Sequence, residues 1–155
     1  MNYDTLSAGR RKKFSKILIA ADGSEASMDA ADYAIEIARE YNSELIALHV
    51  ILSDVTIFGP NLPPDITEIK QQAQQHLDKV EQKLSNQYPD GEIHMRTEII
   101  SCATTVGGIV NFAEKENIDL IAIGTRGRSG FKKLLLGSVA SGVVTYAHCA
   151  VMVVK

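Results

Sequence analysis

The sequence predicts one α/β domain, a parallel sheet with helices on both faces. Five short apolar runs alternate with segments of helical period, the pattern that βαβ units produce. One run, Asp119 to Ile123, is apolar without interruption after its first residue, as a central parallel strand buried on both faces must be. The 155-residue length favours a single core. Area scaling lets about 69% of the extended surface be buried in one body of this size, whereas two halves would each approach the lower limit for a core.

The elements follow in order. Residues 1–15 read as a flexible basic tail, and residues 16–155 as the domain. Lys16 to Ala21 is the first strand, ended by Asp22-Gly23-Ser24. Ser24 is a plausible N-cap for a helix with Ala30, Ala34, Ile37 and Ala38 on its apolar face. Leu45 to Leu52 is the second strand. Gly59, Pro60, Pro63 and Pro64 crowd the stretch beyond it, and Asp65-Ile66-Thr67-Glu68 has the spacing of a capping box. The helix it opens runs to about Gln87, with Ile66, Ile69, Ala73, Leu77, Val80 and Leu84 on one face. Pro89-Asp90-Gly91 turns into the third strand, Ile93 to Ile100, where Arg96 and Glu98 alternate with less polar residues and mark a half-exposed edge. Thr104 or Thr105 can cap a third helix through Glu116; Gly107 and Gly108 each cost it about 1 kcal/mol against alanine, a cost that close packing would explain. After the fourth strand come a glycine-rich loop, a helix from about Ser138 and a last strand, Ala150 to Val154.

Charge is distributed unevenly. The net charge is −3, yet residues 1–16 carry +4, residues 17–119 carry −12 and residues 120–155 carry +5. Overall acidity argues against a nucleic-acid partner, and the local cationic stretch suits a local anion such as phosphate. A solvated basic loop is the alternative. No apolar run approaches the roughly 20 residues that span a bilayer, so no membrane partner is expected. Residues 1–15 lack an apolar secretory core, and Cys102 and Cys149 form neither a disulfide framework nor a zinc pattern. A cytoplasmic setting is the expectation.

The chemistry concentrates between Gly124 and Ser138, where the sequence reads Gly124-Thr125-Arg126-Gly127-Arg128-Ser129-Gly130-Phe131-Lys132-Lys133-Leu134-Leu135-Leu136-Gly137-Ser138. This loop joins a buried strand to a helix at the carboxyl edge of the sheet, where open α/β sheets bind ligands. Gly124, Gly127 and Gly130 would let backbone N–H groups approach an anion, and the helix start adds unpaired N–H groups and a positive dipole end. Arg126 and Arg128 offer charge-assisted hydrogen bonds. The Ser138 hydroxyl can donate to a phosphate or simply cap the helix. A Walker A loop and a dinucleotide G-x-G-x-x-G are both missing.

Gly124-x-x-Gly127, nine residues, then Gly137-Ser138 resembles the G-2x-G-9x-G-[ST] motif of the ATP-binding branch of the universal stress protein family. Lys16 to Ser24, Ala47 to Val50 and Asp119 to Gly124 are similar to that family's first, second and fourth strands, so the resemblance runs from Lys16 to the C-terminus. It implies an adenine nucleotide alpha hydrolase-like fold with strand order 3-2-1-4-5, an adenine-nucleotide ligand (ATP, or AMP or ADP) and a dimer. It places Ala20 and Val50 beside the nucleotide, with the Val50 backbone meeting adenine, and Asp22 at the ribose or a magnesium ion. Gly124, Thr125, Arg126, Gly127, Arg128, Ser129, Gly130, Gly137, Ser138 and Val139 would hold ribose and phosphates. Two positions depart from the pattern: Ser101-Cys102-Ala103-Thr104 replaces a turn that commonly carries glycine and proline, and Ala150 stands where proline is usual. Gly142, inside the last helix, predicts a weaker or more closely packed helix.

Asp22 is otherwise a turn carboxylate bonded to its own backbone two residues on. His49, on an apolar strand, reads as a core or hydrogen-bonded histidine rather than a catalyst. His148 beside Cys149 lacks a third orienting group, and Ser138 to Gly142 is no nucleophile elbow. With no positioned base beyond Asp22, the sequence favours a dimeric regulatory module of stress response that binds adenine nucleotide and signals to an unidentified protein partner. The alternatives are a slow nucleotide-hydrolysing or transferring enzyme, or a stress interaction protein with another ligand. Given strand order 3-2-1-4-5, Ala150 to Val154 is an edge without charge or proline, and homodimer pairing is expected there.

Overall fold

The computed structural model describes residues 13–53, 66–126 and 136–155. Among these, five strands and four helices alternate: β1 (Lys16–Ala20), α1 (Glu25–Tyr41), β2 (Glu44–Leu52), α2 (Ile66–Gln87), β3 (Met95–Cys102), α3 (Thr105–Lys115), β4 (Leu120–Gly124), α4 (Ser138–Tyr146) and β5 (Ala150–Val154). The strands form one sheet in the order β3-β2-β1-β4-β5, with every neighbouring pair parallel. This is the expected fold.

Side-chain alternation along the strands divides the core in two. Ile17, Ile19, Leu45, Ala47, Leu120 and Ala122 pack with α1 and α2. Leu18, Ile46, Leu48, Ile121 and Ile123 pack with Ile109 and Ala113 of α3 and Ala140 and Val143 of α4. β4 is buried at every residue, which explains its unbroken apolar run.

Ser24 caps α1, accepting a 3.1 Å hydrogen bond from the Ser27 N–H, and Asn42 closes the helix in the left-handed conformation with φ 53°. The buried face of α1 is Ala30, Ala31, Ala34, Ile35 and Ala38. Ile37 is half-buried and packs against the core at the margin of this stripe, and Ile35, not named in the expected stripe, is fully buried within it. In α2, Ala73, Leu77, Val80 and Leu84 are buried as expected, but Ile66 is 58% exposed and His76 is buried instead. Asp65 of the expected capping box lies outside the described residues.

β3 starts at Met95 rather than Ile93 and pairs with β2 through Cys102. Ile93 is still buried, anchoring the chain before the strand begins. On this edge Arg96 contacts Glu98 and Glu116 at 2.6 Å and Glu44 at 3.3 Å. Burial works against the guanidinium charge, but its hydrogen bond to Glu44 and the charges of Glu116 and Glu98 outweigh it and raise its pKa. Such exposed pairs each add little stability; their consequence is a charged strand edge that resists pairing. At the start of the sheet, Asp119 Oδ2 accepts from the N–H groups of Ser15 and Lys16 at 2.9 and 3.0 Å, tying β1 to β4.

Helix glycines bring the elements near the carboxyl edge together. A Cβ at Gly108 would lie 2.8 Å from Val50 Cγ1, and one at Gly142 would lie 2.7 Å from Val106 Cγ2. α3 thus seats on β2 and α4 on α3, the close packing anticipated for both residues. Thr104, not Thr105, caps α3, its hydroxyl accepting from the Gly107 N–H at 3.0 Å.

Candidate functional site

The carboxyl ends of β1, β2 and β4 open into a cleft of about 350 Å³. It lies at the topological switch point, since β1 leads outward to β2 and β3 while β4 leads the other way to β5. Three walls enclose it.

The β1–α1 turn forms the first wall through Ala20, Ala21, Asp22 and Ser24, with Ser27 behind them. Asp22 Oδ1 accepts a 2.8 Å hydrogen bond from the Ser24 N–H, so the turn-carboxylate reading is realised. Its other oxygen makes no hydrogen bond among the described residues and is available to a ligand. Gly23 sits at φ 81°, and the His76 ring occupies the space its Cβ would need, with Cδ2 only 2.3 Å from that position. His49 Nδ1 is 2.7 Å from the Ala21 carbonyl oxygen, and the His49 and His76 rings are 5.1 Å apart. His49 is the hydrogen-bonded histidine expected, and with His76 it backs the turn.

The end of β2 supplies the second wall: Leu48, His49 and Val50, joined by Thr105 and Ile109 from the first two turns of α3. Thr105 and Ile109 are absent from the set implied by the motif. Their i, i+4 spacing on one helix face was the available clue, but placing that face required knowing where α3 packs.

β4 and α4 make the third wall. Ile123, Gly124, Thr125 and Arg126 face Gly137, Ser138, Val139 and Ala140. Gly124 has a packing role besides the expected one in anion approach: a Cβ there would lie 2.7 Å from the Ala26 carbonyl carbon and 2.9 Å from Ser27 N. The glycine lets the first turn of α1 seat against β4. Thr125 accepts from the Gly137 N–H at 2.8 Å while its own N–H donates to Val154 O at 2.8 Å. That pair of bonds pins both ends of the loop. Ser24 Oγ lies 3.4 Å from the Arg126 carbonyl oxygen, a weak link between the first and third walls.

Gly137 is the N-cap of α4 and provides no side-chain cap, so Ser138 is the first helical residue and the capping alternative for its hydroxyl is removed. The first intrahelical bond runs from the Ser141 N–H to Gly137 O. The N–H groups of Ser138, Val139 and Ala140 therefore precede the ladder, where an anion could use them together with the helix dipole. Gly127, Arg128, Ser129 and Gly130 lie outside the described residues. Ala20, Asp22, Val50, Gly124, Thr125, Arg126, Gly137, Ser138 and Val139 all line the one cleft.

No group of three His, Cys, Asp or Glu side chains that could hold a metal occurs among the described residues. At the entry to β5, burial and then the Asp119 charge push the Cys149 thiol up, which disfavours the thiolate a nucleophile needs.

Fold and cleft together define a doubly wound α/β domain with a cleft at the switch point of the sheet. The model of the universal stress protein family matches residues 13–155, and the chain belongs to that family. It is 40% identical over 148 residues to a universal stress protein of Methanocaldococcus jannaschii, covering 92% of this chain and 82% of that one. Among solved structures, a universal stress protein from Archaeoglobus fulgidus in complex with dAMP superposes with a TM-score of 0.67 at 18% identity, covering 94% of this chain and 100% of that one. A universal stress protein in complex with cAMP gives 0.64 at 20% identity, covering 92% and 98%.

Proposed function

We propose that this protein is a dimeric regulatory module of stress response whose signal is an adenine nucleotide (ATP, or AMP or ADP) held in the switch-point cleft. The observation that carries the reading is the set of unspent donors at the start of α4, the Ser138 hydroxyl and three N–H groups, in a cleft that also presents the apolar Leu48, Val50 and Ile109. One end suits phosphate and the other a flat ring. The dAMP and cAMP complexes of the two neighbouring structures support the same assignment.

In this reading Ala20 and Val50 take the base side and Asp22 the ribose or a magnesium ion. Gly124 to Gly130, Gly137, Ser138 and Val139 take the phosphates. A single carboxylate fits magnesium, which keeps several waters and binds largely through the nucleotide's own phosphates. Mass spectrometry of what co-purifies with the protein, followed by calorimetry with ATP, ADP and AMP, tests this; micromolar binding is expected. A protein that emerges empty and binds none of the three overturns it.

Slow or absent turnover is expected. Among the described lining residues Asp22 is the sole carboxylate, and one of its oxygens already holds the Ser24 N–H. A metal-dependent kcat above about 1 s⁻¹, the lower end of the ordinary enzyme range, that disappears in Asp22→Ala would favour the enzyme reading.

Assembly is proposed through β5. Val154 O bonds to β4, and because N–H and C=O of one strand residue point the same way, the Val153 N–H lies on the free edge. Val153→Pro therefore removes a donor from the edge without touching the β4 ladder. Light scattering should show the parent as a dimer at tens of micromolar and the variant as a monomer or aggregate; a monomeric parent refutes edge pairing. No helix among the described residues is long and apolar enough to cross a membrane. The proposal sets the protein in the cytoplasm, with neither nucleic acid nor membrane as partner and with a further protein reading its nucleotide state.

A further inference from the structure

We propose that Thr105 is a specificity-determining residue, its hydroxyl accepting a hydrogen bond from the exocyclic amino group of the bound adenine. The inference rests on the nucleotide reading above and extends it to the wall that the motif does not reach. Gly108 fixes the position of that wall: its bare Cα lets α3 settle onto Val50, so the first turn of the helix stands at the end of β2. Ile109 is 3% exposed and belongs to the core with Leu18 and Leu48. Thr105 lies one turn before it on the same helix face, and helical side chains tilt toward the N-terminus, which here is the cleft side. Both residues line the cleft.

The two adjacent threonines have different duties. Thr104 spends its hydroxyl on the Gly107 N–H, whereas the Thr105 hydroxyl has no hydrogen bond among the described residues and the residue is half-buried. Its neighbours on this wall, Leu48, Val50 and Ile109, are apolar, and His49 has committed Nδ1 to the Ala21 carbonyl. A flat ring entering here meets one uncommitted side-chain hydroxyl in apolar surroundings. That is how small-molecule sites fix orientation: broad apolar contact with a few placed polar groups. A hydroxyl accepts as well as donates, so it can take the amino hydrogen of a 6-aminopurine.

The test compares ATP with purine riboside triphosphate, which lacks the amino group, by calorimetry on the full chain and on Thr105→Val. The parent should bind ATP about tenfold more tightly than the analogue, the worth of one neutral hydrogen bond. Thr105→Val should lose about that factor for ATP and bind the two nucleotides equally, with tripolyphosphate binding and the thermal melt unchanged. Thr105→Ser, which keeps the hydroxyl, should restore the preference. A valine variant that still prefers ATP, or a serine variant that does not, overturns the assignment while leaving the nucleotide reading intact. A parent that binds neither nucleotide overturns both.

Discussion

Gly137→Val should bind ATP about a hundredfold more weakly than the parent protein while keeping its fold. The backbone at Gly137, φ −59° and ψ 158°, is open to any residue, so valine brings no backbone strain. Its Cβ would lie 2.8 Å from the Thr125 carbonyl oxygen, the atom that accepts the Gly137 N–H. The pin at the mouth of the loop must open, and the donors before α4 move away from a phosphate. Two lost hydrogen bonds to a charged group are worth about 3 kcal/mol or more, which sets the hundredfold figure. The overlap itself costs about 1–3 kcal/mol, within what a domain of this size tolerates. Calorimetry and a thermal melt on both proteins decide the matter; unchanged affinity in a folded variant would remove the phosphates from this loop.

Gly124→Ala should produce the larger loss of stability. The atoms its Cβ would strike are the Ala26 carbonyl carbon, the Ala26 Cβ and Ser27 N, none of which a rotamer change can move, so α1 has to retreat from β4. A cost of about 3 kcal/mol follows for overpacking of this kind. The melting temperature should fall by roughly 6–12 °C for a domain of this length. Gly91→Ala is the control. Gly91 has φ 70° but nothing within 4 Å of its Cβ position, leaving only the left-handed penalty of about 1–2 kcal/mol. Equal melting temperatures for the two variants would refute the packing role of Gly124.

The elements were legible because their patterns are local. Ser24 and Thr104 announce helix starts, and β4 carries the unbroken apolar run of a strand buried on both faces. The charges on β3 likewise marked an edge. Phase along a helix was less legible. Ile35 and Ile37 are equivalent in composition, and only the approach of α1 to the sheet selects one for the centre. Ile66 is exposed and His76 buried because α2 meets the sheet later along its length than its apolar pattern begins. At the site, the motif located the third wall and Asp22, but the reasons for individual glycines depend on contacts distant in sequence. Gly124 serves α1 and Gly108 serves Val50, and neither contact is written in a spacing. Thr105 was missed for the same reason.

Thr125 gives with one N–H to the edge strand and receives with one carbonyl from the residue that opens α4. A single peptide neighbourhood is thus shared by the rim of the cleft and the border of the sheet, and strain placed on either is borne by both. Thermodynamic reciprocity turns this shared mooring into an equality between two measurements. In the proposed dimer, whatever factor the proposed nucleotide adds to the cohesion of two chains along β5, the joined chains must return in their grip on nucleotide.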